Sequence, residues 1–245
     1  LKVGSVFPLV ESHPEVVVRA LRMKRLANDI GDVVSGRAVH PITPVPGGFT
    51  RIPTAGELGE LKRRLVEEMT PDLLATIETM KALAGEIPDF TRETEFISLR
   101  SDQDYALYDG DICSTDTGRV PDSEYRKMTN EFVVPHSTSK HCKVNRSSYM
   151  VGALARWNVN HDRLCDISQQ AAEALGLKPN CHNPYMNTVA QVVEAAHCVV
   201  DSLAIIDKLL GDGPKDEKPN QEPTRFGTGV GCTEVPRGIL YHEDT

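Results

Sequence analysis

The sequence predicts a mainly α protein with a small antiparallel β insertion. Apolar residues recur every three or four positions over long stretches near both ends of the chain. Proline and glycine stand where those stretches begin and end. Between about residue 93 and residue 135 the pattern changes to short apolar segments separated by turn residues, which is typical of strands. A chain of 245 residues is long enough to bury a sizeable core.

The first long helix is predicted over residues 14–35. The segment 12–15 (Ser-His-Pro-Glu) combines a capping box with proline at the first helical position, and Gly36 is placed to end the helix. A second helix is predicted from the capping box at residues 54–57. Thr70-Pro71 would restart it, so that two helices form a hairpin.

The segment between these helices, residues 36–50, is predicted to be a long loop. Its three prolines and its glycine pair exclude a helix or a central strand. Long loops inside compact domains are often functional. Arg37 and His40 are its only titratable side chains. His40 either contributes to a site or holds the loop by a hydrogen bond to the backbone, and both alternatives stay open.

The β insertion is predicted to contain four short strands. Apolar segments at 96–99, 105–108 and 112–113 come first, with Asp109-Gly110 as a tight hairpin turn between the last two. A strand over 131–134 follows and stops at Pro135.

Helices return after the insertion. Residues 148–157 form a small-residue helix, Asp162 can cap the next one, and the longest helix is predicted from 183 to about 210. Glu194 falls near its apolar stripe, so it is either a buried proton-carrying acid or, more commonly for its type, a solvated one. A charged surface linker is expected over 211–223.

Composition excludes several classes of function. A net charge of −8 argues against nucleic-acid binding, and no apolar run reaches the length of a membrane span. The six cysteines have no Cys-x-x-Cys motif and no regular spacing. Their even count would allow three disulfides, but the chain is large and unlike a disulfide-rich secreted scaffold, which favours reduced thiols in the cytoplasm. The spacing of His136, His141 and Cys142 fits no common zinc site. Because the chain starts with leucine and ends soon after its most distinctive motif, we expect an internal fragment without a signal peptide.

That most distinctive motif surrounds Arg237. Pro236 fixes its own φ and Gly238 frees the backbone, so the permanently charged guanidinium is presented from a constrained turn. Ile239 and Leu240 suggest a wall that excludes water. Arg237 then either faces an anion in a dry pocket or forms an ion pair with an acid such as Glu234. Residue types alone favour the ion pair.

Three motifs together carry a family resemblance. They are residues 36–41 followed by Gly47-Gly48, residues 148–156, and residues 234–238, in that order. The chain resembles the large (alpha) subunit of nickel-iron hydrogenases, most closely the soluble cytoplasmic group. The resemblance extends over residues 1–245, which would be the central part of the large-subunit domain with both termini missing.

The resemblance implies a buried Ni-Fe(CN)2(CO) centre in the full-length protein. Its ligands are cysteines of two Cys-x-x-Cys motifs that this sequence does not contain, so no residue here is expected to bind metal and the fragment by itself should be inactive. Arg237 would overhang the metals, hydrogen-bond a cyanide and support the splitting of H2. Pro236 and Leu240 would line the pocket of the diatomic ligands, with Glu234 and His40 in supporting positions. Val235, where alanine is common in the family, would crowd that pocket.

The implied function is oxidation of H2 and reduction of protons in the cytoplasm. Electrons would pass to an iron-sulfur small subunit, then to further electron-transfer subunits. No nucleic acid and no membrane are expected to take part. Two alternatives stay open. One is the related metal-free 49-kDa-type subunit of respiratory complex I, which binds quinone and couples proton transfer. The other is a helical scaffold without enzymatic activity. The run 151–156 and the intact Pro-Arg-Gly sequence favour the hydrogenase.

Overall fold

A computed structural model of the chain describes residues 4–213, 215 and 226–245. In the described ranges, the helices are α1 (Phe7–Ser12), α2 (Pro14–Ser35), α3 (Ala55–Arg64), α4 (Thr70–Leu83), α5 (Ala153–Asn160), α6 (Asp166–Ala174) and α7 (Asn187–Asp212). The strands are β1 (Pro44–Val45), β2 (Gly48–Phe49), β3 (Glu95–Arg100), β4 (Asp111–Ser114), β5 (Gly118–Val120), β6 (Asn130–Phe132), β7 (His141–Lys143), β8 (Tyr149–Met150), β9 (Gly229–Val235) and β10 (Gly238–Asp244).

The predicted class, mainly α with small antiparallel sheets, is confirmed. The chain divides into two compact units. Unit 1 comprises Leu1–Thr79 and Cys198–Pro223, and unit 2 comprises Met80–His197 and Thr224–Thr245. The expected linker over 211–223 lies mostly outside the described residues.

In unit 1, helix α2 has the predicted bounds. Gly36 ends it with φ of 75°, a left-handed conformation that glycine adopts without strain. Several hydrogen bonds to the end of the helix fix the loop that follows. The Ala38 amide donates to Asp32 Oδ1 at 2.7 Å, and Thr43 Oγ1 donates to the Val34 carbonyl at 2.8 Å. Further along, β1 and β2 form a very short antiparallel hairpin.

The predicted helical hairpin over residues 55–83 is wrong. A π-helical turn, Leu65–Met69, joins α3 directly to α4. The Thr70 amide reaches back to the Leu65 carbonyl, and Thr70 Oγ1 donates to the same carbonyl at 2.8 Å. This widened turn accommodates Pro71, which has no amide hydrogen to donate, without ending the helix.

The capping box at the start of α3 is confirmed. Thr54 Oγ1 accepts from the Glu57 amide at 3.3 Å, and Glu57 Oε2 accepts from the Thr54 amide at 2.9 Å. The Thr54 amide and then the Arg51 guanidinium lower the pKa of Glu57 to about 2. The ionised carboxylate therefore stabilises this helix end above the ordinary pKa of a glutamate, and the contribution is lost as the pH falls towards 2.

Replacing Thr54 by alanine should loosen the first turn of α3. Loss of an N-cap side chain costs about 1 kcal/mol, so amide hydrogen exchange over residues 55–60 should be faster by about fivefold in the full-length protein. Thr54→Ser keeps the capping oxygen and is the matched control. Equal exchange in the alanine and serine variants would show that the cap contributes nothing.

Unit 2 is built around a four-stranded sheet with the order β5-β4-β3-β8. Strand β3 pairs antiparallel with β4 and parallel with β8. Ile97, Leu99 and Ile112 of this sheet are fully buried, together with Ala106 and Met128. The partly buried side chains that pack on this apolar cluster include Tyr149, Val151, Cys232, Ile239 and Tyr241.

The predicted hairpin turn at Asp109-Gly110 is wrong. Strand β4 pairs with β3 instead, Arg100 lying opposite Asp111, so residues 101–110 form the connection between them. The segment 105–108 is not a strand because its backbone bonds elsewhere. The Leu107 carbonyl accepts from the Glu234 amide at 2.8 Å and from Thr233 Oγ1 at 3.0 Å.

Two of the helices in unit 2 begin later than predicted. Residues 149–150 pair with β3 as a strand, so α5 starts only at Ala153. Asp162 does not cap α6, whose N-cap is Cys165. Asp162 instead accepts two hydrogen bonds from the Arg100 guanidinium, at 2.6 and 2.8 Å.

Helix α7 is the longest and begins after a 3-10 turn at Pro184–Met186. The expectation that no apolar run reaches the length of a membrane span is wrong, because the stretch Pro184–Asp212 is long and apolar enough to meet the length and composition criteria for one. The core helices of soluble proteins meet the same criteria, so this helix is weak evidence for a membrane.

Candidate functional site

Arg237 lies at the tip of the hairpin formed by β9 and β10. Val235 pairs with Gly238, so Pro236 and Arg237 alone form the loop. Gly238 has φ of 151°, a conformation that residues with a side chain rarely adopt. The predicted constrained turn around Arg237 is confirmed.

The hairpin tip lies against the segment that leads into α5. A Cβ atom on Gly238 would lie 2.5 Å from Val151 Cγ2 and 2.8 Å from Val151 Cβ. A Cβ atom on Gly152, whose φ is 90°, would lie 3.3 Å from the Arg237 carbonyl oxygen. Glycine at both positions lets the two segments approach closely, so the motifs at 148–156 and 234–238 meet in unit 2.

Arg156 lies beneath this junction and is almost completely buried, its side chain being 1% exposed. Nε and Nη2 donate to the two carboxylate oxygens of Glu194, the second at 2.7 Å. Nη1 donates to Glu234 Oε2 at 2.8 Å and to the Val235 carbonyl at 2.9 Å. Nη2 also donates to the Pro236 carbonyl at 3.2 Å. A guanidinium has five N–H groups, and these five acceptors match that number.

The two glutamates are themselves held in place. The Glu234 side chain is fully buried, and its Oε1 accepts from the Leu99 amide at 2.8 Å. The Glu194 side chain is 14% exposed, and its Oε1 accepts from Tyr105 Oη at 2.8 Å. One buried cation therefore faces two carboxyl groups, and we call Arg156, Glu194 and Glu234 the buried triad.

The protonation equilibria of Glu234 and Arg156 are shifted from their ordinary values. Burial raises the pKa of Glu234, and the hydrogen bond from Leu99 and the charge of Arg156 only partly oppose this. Burial alone lowers the pKa of Arg156, but the hydrogen bonds and charges of Glu194 and Glu234 outweigh it and raise that pKa above its ordinary value. Arg156 therefore stays charged, and any proton the triad binds goes to a carboxyl group.

The favoured ion pair between Arg237 and Glu234 is wrong, because Glu234 is bonded to Arg156. Arg237 and Pro236 are exposed, and the described residues give the Arg237 side chain neither an ion pair nor a hydrogen bond. Ile239 packs on the apolar cluster, whereas Leu240 is 42% exposed. The Arg237 guanidinium is thus available to an anionic partner, and the wall that excludes water stays a prediction.

His40 belongs to unit 1, where it is exposed and has φ of 57°. In the neighbouring loop, the Ala38 amide donates to Asp32 Oδ1 and Thr43 Oγ1 donates to the Val34 carbonyl. Its supporting role at a site stays a prediction.

Sequence reasoning missed Arg156 and placed Glu194 wrongly in solvent. A signal for Arg156 existed, since it stands between Ala155 and Trp157 in a run that is otherwise apolar. Its burial required acidic partners, and Glu194 was the acid nearest the apolar stripe of the longest helix.

The residues that the structure describes contain no group of three or more His, Cys, Asp or Glu side chains arranged to hold a metal ion. Burial raises the pKa of the Cys232 thiol to about 11, so the free thiol is uncharged at neutral pH. Cys113, Cys142, Cys165 and Cys181 are also thiols outside any disulfide. The described residues thus do not supply the ligand set of a nickel-iron centre.

No family model matches the chain. It is 31% identical, over 98% of its length, to the alpha subunit of sulfhydrogenase 1 from Pyrococcus furiosus. It is 24% identical, again over 98%, to the vhu A subunit of the F420-non-reducing hydrogenase from Methanocaldococcus jannaschii. The chain spans 55% and 61% of the length of these two relatives. A crystal structure of an NAD+-reducing [NiFe]-hydrogenase superposes with a TM-score of 0.82 at 24% identity, covering 98% of this chain and 56% of that one.

The fold of the chain is that of the matched part of this hydrogenase structure. More particularly, the homologues of the chain are large subunits of nickel-iron hydrogenases, which confirms the resemblance inferred from the three motifs. The alternative of a metal-free complex I-type subunit has no better support from these comparisons.

Proposed function

We propose that this chain is the part of a nickel-iron hydrogenase large subunit that presents Arg237 to the nickel-iron centre. The full-length protein would oxidise H2 and reduce protons in the cytoplasm. It would pass electrons to an iron-sulfur small subunit, then to further electron-transfer subunits. The observation that carries this proposal is the junction in unit 2, where the motifs at 148–156 and 234–238 meet and leave Arg237 without a protein partner among the described residues.

The ligands of the Ni-Fe(CN)2(CO) centre would be cysteines of Cys-x-x-Cys motifs, which are not present in these 245 residues. When bound, the nickel-iron centre would supply the redox chemistry. This chain would not take part in that chemistry through ligands of its own. The contribution of the chain is the environment of the centre, in which Pro236 and Leu240 line the pocket and Glu234 acts in support.

Arg237 acts in this proposal through its permanent positive charge. A guanidinium stays protonated near neutral pH, so it is a poor base. It is a strong hydrogen-bond donor to anions, and it can stabilise charge that separates when H2 is split. Such a group is most effective when it is preorganised, and the two-residue loop at Pro236-Arg237 restricts its backbone.

The test is to replace Arg237 by lysine in the full-length large subunit, produced with its partner subunits. Lysine keeps the charge but loses the planar, forked donor geometry. We expect H2 oxidation with a redox dye to fall by about a hundredfold, which is typical of losing one preorganised donor. Nickel and iron contents, measured by elemental analysis, should stay unchanged.

Arg126→Lys is the matched control. Arg126 is exposed and donates to Glu243 near the other end of β10, so its replacement should leave turnover unchanged. Unchanged turnover in Arg237→Lys would refute the role of Arg237. A full-length wild-type protein without nickel and without H2 turnover would refute the hydrogenase function itself.

A further inference from the structure

We propose that Arg156 is a positioning residue that fixes the turn from which Arg237 is presented. It does so by binding the last two carbonyls before Arg237, those of Val235 and Pro236. This inference rests on the proposed function of Arg237. It adds that the buried triad sets the position and orientation of the Arg237 side chain.

Among the described residues, Arg156 holds the turn from its inner side. Val235, Pro236 and Arg237 are all exposed, so the described residues do not cover the outer face of the turn. On the inner face, the Arg156 guanidinium donates a hydrogen bond to the Val235 carbonyl at 2.9 Å and another to the Pro236 carbonyl at 3.2 Å. Because Pro236 has no amide hydrogen, the turn offers one donor fewer for hydrogen bonds of its own. The bonds from Arg156 therefore fix the backbone next to Arg237.

The orientation of the guanidinium is set in turn by the two glutamates. Glu194 receives two hydrogen bonds along one edge of the group, which fixes its plane. Glu234 receives one more, and the Leu99 amide of strand β3 anchors Glu234 to the central sheet. Tyr105 anchors Glu194. The position of the turn is thereby tied to β3 and α7.

Only arginine can make this set of contacts. The three N–H groups of lysine are on a single nitrogen. They therefore cannot reach two carboxylates and two carbonyls that lie around a planar guanidinium. Arg156→Lys keeps the buried positive charge and loses the geometry. It therefore separates positioning from charge neutralisation.

The experiment is a double-mutant cycle in the full-length enzyme with its partner subunits. Arg156→Lys should lower the kcat of H2 oxidation by about tenfold or more in the wild-type background. In the Arg237→Lys background the same change should lower kcat by less than about twofold, because the group it positions has already been altered. If the fold-losses of kcat in the two single variants multiply to give that of the double variant, the two residues act independently and the inference is overturned.

A second measurement does not depend on activity. Amide hydrogen exchange of a peptide covering residues 234–240 should be faster by about tenfold in Arg156→Lys, while exchange over α6 stays unchanged. Arg100→Lys is the matched control, because Arg100 also binds a backbone carbonyl, that of Val159, and a carboxylate, that of Asp162, in the same unit. It should leave the hairpin peptide unchanged. Faster exchange over α6 as well would indicate a merely structural role and overturn the inference.

Glu194→Gln provides a second variant if lysine at position 156 prevents folding. It keeps the shape of the side chain but turns one acceptor oxygen into a donor that faces the guanidinium. Exchange of the hairpin peptide should again be faster, by about threefold or more, and an unchanged rate would contradict the inference. If the proposed function fails, the wild-type enzyme shows no H2 turnover, whereas the exchange measurements still decide the role of Arg156.

Discussion

Arg156→Met is expected to destabilise the full-length protein by about 3–5 kcal/mol, as is typical when one partner of a buried ion pair is removed. Methionine fills part of the volume but donates no hydrogen bond, so Glu194 and Glu234 lose their cation while Glu234 stays fully buried. The carbonyls of Val235 and Pro236 lose a donor as well. The measurement is the midpoint of urea unfolding of the full-length protein.

The matched control for this prediction is Arg126→Met. Arg126 also donates two hydrogen bonds, from Nε and Nη2, to the two carboxylate oxygens of Glu243. The Arg126 side chain, however, is 74% exposed. Its loss should leave the urea midpoint nearly unchanged. Adding Glu194→Gln and Glu234→Gln to Arg156→Met should restore part of the stability, since the uncompensated charges are then gone. Equal costs for the methionine variants at 126 and 156 would contradict the prediction.

The loss of stability in Arg156→Met should grow as the pH rises. The folded-state pKa of Glu234 is already raised by burial, and removing Arg156 raises it further. The folded protein then binds a proton that the unfolded chain releases near the ordinary pKa of 4.5. Stability therefore falls as the pH rises through the folded-state pKa, so the deficit of Arg156→Met should be larger at about pH 8 than at about pH 5. In the presence of Glu234→Gln this pH dependence should be much smaller.

Local signals explain which parts of the fold could be predicted. Helix α2 has its predicted bounds because proline at its start and glycine at its end act on their own turns of backbone. The capping box at Thr54 and the turn at Pro236 are local in the same way. The expected turn at Asp109-Gly110 failed for a different reason, because the neighbouring Leu107 carbonyl bonds to Glu234, far away in the sequence.

The same distinction applies to the candidate site. The presentation of Arg237 from a turn depends on its two neighbours, so the sequence alone predicts it. The partners of Arg156 are 38 and 78 residues away, at Glu194 and Glu234. Only the packing of α5 against the hairpin and α7 decides which acid meets which arginine. Residue types therefore suggested an ion pair for Glu234 but assigned it to the wrong arginine.

Gly238→Ala is expected to destabilise unit 2 by about 3 kcal/mol. The added methyl group would lie 2.5 Å from Val151 Cγ2 and 2.8 Å from Val151 Cβ, and φ at this position is 151°. Overpacking and backbone strain each cost about 1–3 kcal/mol. Because Gly238 follows Arg237 directly, relief of the clash would also move the turn. Under the proposed function, H2 oxidation by the full-length protein should therefore fall together with the urea midpoint.

Gly231→Ala in strand β9 is the matched control for this change. A Cβ atom there has no neighbour within 4 Å, and its φ is not in the left-handed region, so the expected change in stability is within about 0.5 kcal/mol. Adding Val151→Ala to Gly238→Ala removes the contact at 2.5 Å but keeps the Cβ atom at 2.8 Å. It should therefore recover only part of the loss. Equal stabilities of Gly231→Ala and Gly238→Ala would show that close contact between the hairpin tip and Val151 is not what holds the two motifs together.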